Sequence, residues 1–247
     1  MHCVNTSMQK IMHRATRAII MAAGVGERLK PITDHTPKPL VKINGVPIIE
    51  TIIEGLISNE ISEIFIVTGH LKEQFGYLTE KYSARLIENP YYLTHNNISS
   101  LYMAREYLGN SIVCDGDQII INPQILHPIF DASGYCSRWA RETKEWLQTV
   151  DKDGFVQTCS RTGGKNGWQL YSVSFWTEDD GKRLKCHLEE LFETHANLYW
   201  DDIPVFLRRD EYRLKIRPIR PEDIVEIDTI QELEMYKHTS KPHKHGF

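Results

Sequence analysis

Long apolar runs are missing from this chain. No stretch of its 247 residues approaches the roughly 18 consecutive apolar residues of a membrane-spanning helix, so no membrane partner is expected. The first sixteen residues, MHCVNTSMQKIMHRAT, lack the apolar centre of a secretory signal. Paired cysteines are missing too. The five, Cys3, Cys114, Cys136, Cys159 and Cys186, form no C-x-x-C and are odd in number. That argues against a disulfide framework and for a reduced, cytoplasmic protein. No two Cys or His stand at zinc-ligand spacing in a believable loop. There is no basic stripe either. The formal net charge is -4, and outside the Lys- and His-containing tail Lys and Arg are scattered singly, which excludes nucleic acid as a first expectation. Repeats and low-complexity linkers are absent. With 41% hydrophobic residues, what remains is one large α/β domain, about 17–237. A flexible extension, 1–16, and a flexible tail, 238–247, are expected to flank it.

What is present is a rhythm of buried strands and helices. Ala18 to Ala23 is an apolar run of strand length. Leu40 to Ile43 is a short extended piece that turns at Asn44-Gly45. Pro47 then opens a helix whose Ile48, Ile49, Ile52, Ile53, Leu56 and Ile57 share a face. Ile61 to Gly69 reads as a strand, Leu71 to Tyr82 as a helix, Ala84 to Ile87 as a strand. Ile98 to Leu108 reads as a helix and Ser111 to Cys114 as a strand. This alternation predicts a mainly parallel, Rossmann-like sheet with helices on both faces. After about Asn122 the rhythm changes to short extended pieces broken by Asp153-Gly154 and Gly163-Gly164, which predicts an antiparallel extension of the same sheet. Helices are expected over Glu178 to Glu193, Asp201 to Arg209 and Thr229 to Tyr236, and strands over Tyr212 to Arg217 and Asp223 to Ile227. The part about 17–122 would then carry one ligand and the part about 123–237 another.

The chain is organised around Arg17 to Leu40, RAIIMAAGVGERLKPITDHTPKPL. A buried strand breaks into Gly24-Val25-Gly26-Glu27-Arg28, and Lys38 follows between Pro37 and Pro39. Glycines let backbone N–H groups approach phosphate oxygens, and cations neutralise them. No G-K-[ST] follows, so this is not a Walker loop, and no third glycine completes a dinucleotide fingerprint. In a parallel sheet, ligands bind beyond the carboxyl ends of strands. The first strand ends at Gly24 and the fourth runs into Asp115-Gly116-Asp117, so both loops emerge at one rim. An acid there, beside a polyphosphate, is placed to hold Mg²⁺, a hard cation that takes carboxylate and phosphate oxygens.

The string Ala22-Ala23-Gly24-Val25-Gly26-Glu27-Arg28-Leu29-Lys30-Pro31-Ile32-Thr33, followed by Thr36-Pro37-Lys38-Pro39-Leu40, resembles the nucleotidyltransferases that activate sugar phosphates and choline phosphate. The resemblance extends over about 17–237 and is nearest to the bacterial-type choline-phosphate cytidylyltransferases. It implies that Ala22, Ala23, Gly24, Val25, Gly26 and Glu27 wrap a nucleoside triphosphate, and that Arg28 and Lys38 grip phosphates as the catalytic cations. Glu27 departs from the family, where Ser or Thr is usual. The resemblance also makes Asp117 the first Mg²⁺ ligand and Asp228 the second. Asp228 could instead cap the last helix. Asn97 and Ser100 would lie near base and ribose, although both could simply cap the helix that follows. Asp115 reads as a turn acid and is carried among the nucleotide's neighbours.

For the acceptor, three strings match the choline-phosphate enzymes in order and spacing: Glu145-Trp146, Phe175-Trp176 and Tyr199-Trp200-Asp201-Asp202. A quaternary ammonium has no N–H to donate, so aromatic faces must select it, at roughly 0.5–2 kcal/mol each. Carboxylates such as Asp201 and Asp202 would add attraction. Trp139 and Trp168 are expected in the core. The implied reaction joins CTP and phosphocholine into CDP-choline and pyrophosphate. Rivals are the same chemistry on 2-aminoethylphosphonate or phosphoethanolamine, a sugar 1-phosphate acceptor, and a non-catalytic nucleotide-binding module. The oligomeric state is not readable from the sequence.

Overall fold

The computed structural model describes residues 11–239. A nine-stranded sheet runs through both halves of the chain. Its parallel centre consists of β1 (Arg17–Ala22), β2 (Glu63–Thr68), β3 (Arg85–Glu88) and β4 (Ser111–Asp115), in the order β4-β1-β2-β3. Ile19, Ile20, Phe65, Ile66, Ile112 and Val113 are each at most 1% exposed. Such strands are apolar on both faces and need cover on both. One face is covered by α1 (Ile48–Ser58), through Ile49, Ile52, Ile53 and Leu56. The other is covered by α3 (Ile98–Met103) and α4 (Glu178–Leu191), through Leu101, Leu184 and Leu188.

The antiparallel extension joins at β4. β6 (Gly134–Thr143) pairs with the long β9 (Gly164–Trp176), β7 (Leu147–Val150) pairs with β8 (Val156–Ser160) and with β9, and the last residues of β9 pair with β4. β10 (Lys215–Pro218) lies parallel to β6. The mainly parallel sheet with an antiparallel extension is therefore as expected. One pairing was not anticipated. β5 (Gln118–Ile120) forms a separate antiparallel ribbon with β11 (Ile224–Glu226), just ahead of α5 (Ile230–Thr239). β11 falls within the strand expected over Asp223 to Ile227, but its partner β5 has only three residues, too few for a sequence period to register.

Several helices are more broken than expected. Leu71 sits at φ 49°, Lys72–Phe75 is a 3₁₀ turn, and only Tyr77–Tyr82 (α2) is α-helical. The third helix ends at Met103, and a 3₁₀ turn follows over Arg105–Tyr107. Residues 203–207 make a single π turn, with Pro204 in its first turn, in place of the longer helix expected there. Trp139 and Trp168, expected in the core, form a cross-strand edge-to-face pair 5.6 Å apart, with Trp139 52% exposed. The domain begins before Arg17: His13–Arg14 pairs with Ile129–Phe130, and Ala15 is buried. The expected flexible ends fall, for residues 1–10 and 240–247, outside the described residues.

Ile20 stands at the centre of β1, fully enclosed. Ile20→Ala is expected to cost about 3–4 kcal/mol in urea unfolding. A loss under about 1 kcal/mol would mean that the parallel centre is not the core of the fold.

Candidate active site

β1 and β4 are adjacent and parallel, so their carboxyl ends open at one rim, with Met21 opposite Asp115. Here the chain must leave the sheet twice. After β1 it does so through Gly24 and Gly26. Gly26 holds φ 71°, and a Cβ there would stand 3.0 Å from Thr33 Cγ2 and 3.2 Å from Lys38 Cβ. Thr33 Oγ1 donates to the Gly26 carbonyl at 2.9 Å and closes the loop. Leu29 anchors it from below, in an apolar cluster with Val41, Ile48, Ile227 and Leu233. A Cβ on Gly24 would meet nothing within 4 Å, because that glycine faces open space.

This open space is a cleft of ≈ 180 Å³ lined by Ala22, Ala23, Gly24, Gly26, Lys38, Asn97, Ser100, Asp115 and Asp117, together with Met21 and Pro39. Most of the residues expected around a triphosphate are therefore brought together. Val25, Glu27 and Arg28 are not among the lining residues. Glu27 is exposed and pairs instead with Lys30 at 2.7 Å. The Ser100 hydroxyl receives a hydrogen bond from Asn89 Nδ2 at 3.1 Å, and Asn97 Oδ1 receives one from the Trp200 amide at 2.9 Å. Asn97 thus spends its carbonyl on joining α3 to the acceptor half, which leaves its amide N–H groups for the cleft.

Lys38 is buried, and its ammonium donates to Asp117 Oδ2 and Asp228 Oδ1, both at 2.7 Å. Arg28 Nη2 reaches the same Asp228 oxygen at 2.8 Å but is otherwise exposed. The β5–β11 ribbon brings the two acids together: Gln118 pairs with Glu226, one residue past Asp117 and two before Asp228. Asp228 does not cap the last helix. Thr229 Oγ1 accepts from the Glu232 amide, and Glu232 Oε2 accepts from the amides of Asp228 and Thr229. That capping box leaves the Asp228 carboxylate free to face Lys38. Burial works to lower the Lys38 pKa, but Asp117 and then Asp228 outweigh it and hold it above the ordinary lysine value. Two carboxylates thus face one point beside a phosphate-sized cleft. This donor set fits a hard divalent cation whose other ligands are phosphate and water oxygens.

A second compartment, ≈ 250 Å³, shares Asn97 and Asp115 with the first and is lined further by Glu145, Trp146, Tyr199 and Asp201. Asp115 is therefore the wall between two chambers and not merely a turn acid. The sequence reading missed Gln118, Gln169, Tyr171, Ser172 and Glu226, which line it too. Glu226 could have been found, since it ends the short strand that leads, two residues on, to Asp228. Trp176 and Trp200 do not line it. Both are fully buried and pack edge to face, 5.7 Å apart. Trp176 pairs with Ser111 at the opposite end of β4 from the rim. Asp202 is 1% exposed and is turned inward, onto Arg161 at 2.7 Å and the Tyr199 amide at 3.1 Å. Those three side chains support the wall without facing the chamber.

The chamber is crowded with acids. Burial, then Asp117 and Asp201, push the Asp115 carboxyl well above the ordinary range. Burial pushes Asp201 up to about 7; the Tyr135 hydroxyl opposes this and the Asp202 charge adds to it. Glu226, at the mouth, is pushed up to about 8 by desolvation and by the like charges of Asp117 and Asp228. Such a site gains by receiving a positive charge.

Residues 18–162 match the model of the MobA-like NTP transferase domain. The chain belongs to the MobA-like NTP transferase family. It is a nucleotidyltransferase. Within that family it is 38% identical to a 2-aminoethylphosphonate cytidylyltransferase of Lancefieldella rimae, over 90% of this chain and 92% of that one. It is 36% identical to a choline-phosphate cytidylyltransferase of Streptococcus pneumoniae, over 87% of this chain and 94% of the relative. The solved structure of the CTP:phosphocholine cytidylyltransferase from Streptococcus pneumoniae superposes with a TM-score of 0.82 at 34% identity, covering 90% of this chain and 97% of that one.

The two loop glycines should separate in their effects. Gly24→Ala is expected to leave the melting temperature unchanged and weaken nucleoside triphosphate binding roughly tenfold, because its methyl group enters the cleft. Gly26→Ala is expected to lower stability by about 1 kcal/mol or more, since its positive φ favours glycine and a Cβ there would crowd Thr33 and Lys38. Calorimetry on both variants checks this, and unchanged nucleotide affinity in Gly24→Ala would displace the triphosphate from this cleft.

Proposed function

We propose that this protein transfers a cytidylyl group from CTP to phosphocholine, forming CDP-choline and pyrophosphate. One observation carries the reading. A glycine-and-lysine cleft shares a wall with a chamber of aromatic rings and carboxylates, so a triphosphate in one meets a cation-headed phosphate in the other. The relatives named for cytidylyl transfer support CTP as the donor.

In this mechanism Gly24 and Gly26 admit the phosphates to backbone approach, and Lys38 and Arg28 bring positive charge to the transferring and leaving phosphates. The acceptor's phosphate oxygen attacks the α-phosphorus in line, and pyrophosphate departs on the far side. That oxygen is already ionised near pH 7, so no general base is required, and catalysis rests on positioning and charge stabilisation. Asp117 and Asp228 would hold Mg²⁺, which when bound supplies further neutralisation of phosphate charge. Trp146, Tyr171 and Tyr199 would offer ring surface to the trimethylammonium, with Asp201, Asp115 and Glu145 supplying the countercharge.

A second acceptor has support of its own. A primary ammonium, as in 2-aminoethylphosphonate, wants carboxylate partners more than rings, and the chamber holds several. The 38% identical relative is named for that substrate. Pyrophosphate release with CTP and each of phosphocholine, phosphoethanolamine and 2-aminoethylphosphonate ranks the three. The reading expects the highest kcat/KM with phosphocholine. Preference for either primary amine would move the assignment to that acceptor, and CTP binding without release from any of them would leave only a nucleotide-binding module. Lys38→Ala is expected to lower kcat by at least about 10²-fold while the protein stays folded. Near wild-type turnover would remove Lys38 from the chemistry.

Asp201 adds a pH dependence. Its carboxyl is pushed up to about 7, so it is neutral below that pH and negative above it. Attraction for the cationic head should therefore strengthen, and acceptor KM fall, as pH rises through about 7. In Asp201→Asn the step should vanish and KM stay high. An unchanged step in that variant would assign the titration to another group.

A further inference from the structure

Asp202 and Arg161 are left over from the site just described. Neither lines the acceptor chamber, yet together they reach two residues that do, Trp146 through its ring and Tyr199 through its backbone. Arg161 Nη2 lies 2.7 Å from Asp202 Oδ1 as an ion pair, and Asp202 Oδ2 accepts a hydrogen bond from the Tyr199 amide at 3.1 Å. The Arg161 guanidinium lies 4.3 Å from the centre of the Phe206 ring and 5.5 Å from that of Trp146. Trp146 in turn meets Phe206 edge to face at 5.1 Å and Tyr199 at 6.3 Å. Trp146 and Tyr199 come from separate loops, and Tyr199 is half exposed. Without a tie, rotamer freedom would let the two rings drift, and each would have to be ordered when the acceptor binds.

We propose that the Arg161–Asp202 pair is the positioning device of the acceptor chamber: it holds Trp146 and Tyr199 in their edge-to-face arrangement and so sets the affinity for a cation-headed acceptor without touching it. This rests on the proposed cation-headed acceptor. Two effects combine. The guanidinium backs Trp146 on the Phe206 side, and the Asp202 carboxylate anchors the backbone under Tyr199. Asp202 also neutralises Arg161, so the cation behind Trp146 does not repel the one the ring would receive. Arginine suits the task because its planar fork can pair with a carboxylate and stack on rings at the same time, which lysine cannot do.

The test is steady-state kinetics of Arg161→Met and Arg161→Lys with CTP and phosphocholine, 2-aminoethylphosphonate or phosphoethanolamine. Arg161→Met is expected to raise acceptor KM roughly tenfold while CTP KM stays within about twofold. Arg161→Lys keeps the ion pair but loses the stacking, so it should fall between the two. Acceptor KM within about twofold of wild type in a folded Arg161→Met overturns the proposal. So does an equal rise in CTP KM, which would mark a general structural role. Should Arg161→Met not accumulate, Arg161→Lys decides: a rise of a few-fold in acceptor KM supports the proposal, and no rise overturns it. If wild type uses none of the acceptors, the functional reading fails first. The crystal structure of the variant then decides: Trp146 and Tyr199 out of contact supports the positioning role, and both in place overturns it.

Discussion

The active cleft depends on one lysine held between two carboxylates. Lys38 stands in a buried position that disfavours its charge, and it keeps that charge because Asp117 and Asp228 flank it at 2.7 Å. A buried ammonium is tolerated only with such partners. The pairing also explains the local architecture. Asp117 follows the last strand of the parallel centre, whereas Asp228 arrives from the far end of the chain on the β5–β11 ribbon. The capping box at Thr229 and Glu232 relieves Asp228 of helix-capping and leaves it to the cleft. Three distant segments thus meet around a single cation, at the rim where the glycine loop opens.

The antiparallel extension gives that rim a second side. β9 lays Gln169, Tyr171 and Ser172 along the chamber, and the 199–201 turn closes it. Asn97 crosses between the halves through its bond to the Trp200 amide. Asp115 is shared by both chambers. The spacing between the two chambers is therefore set by residues that the sheet and its adjoining turns hold in place. Such pre-positioning is the main resource of an enzyme that needs no protein nucleophile.

Much of this was legible in the sequence, and the exceptions have physical causes. The strands β1, β2 and β4 of the parallel centre announce themselves, since burial on both faces leaves their middles continuously apolar. The glycine loop with Lys38, and Asp117 after its strand, are local signals and were found as such. Asp228 was ambiguous because capping and ligand roles look alike in one dimension; the neighbouring Thr229 and Glu232 take the capping role from it. Glu226, Gln118 and Tyr171 escaped because which chamber a strand residue faces is a matter of strand pairing. Trp176 and Trp200 were misassigned for a different reason. An aromatic beside an acid looks the same whether it faces a chamber or the core, and strand register puts Trp176 at the far end of β4. Asp202 was seen as an acceptor contact but turns inward, where Arg161 balances it.

The central claim is that the two chambers bring donor and acceptor into direct contact, so that transfer occurs in one displacement. The most direct measurement is the stereochemical course at the α-phosphorus, using CTP made chiral there with sulfur and an acceptor the enzyme turns over. The account predicts inversion of configuration. Retention would require two displacements and a covalent cytidylyl-enzyme, and would contradict it.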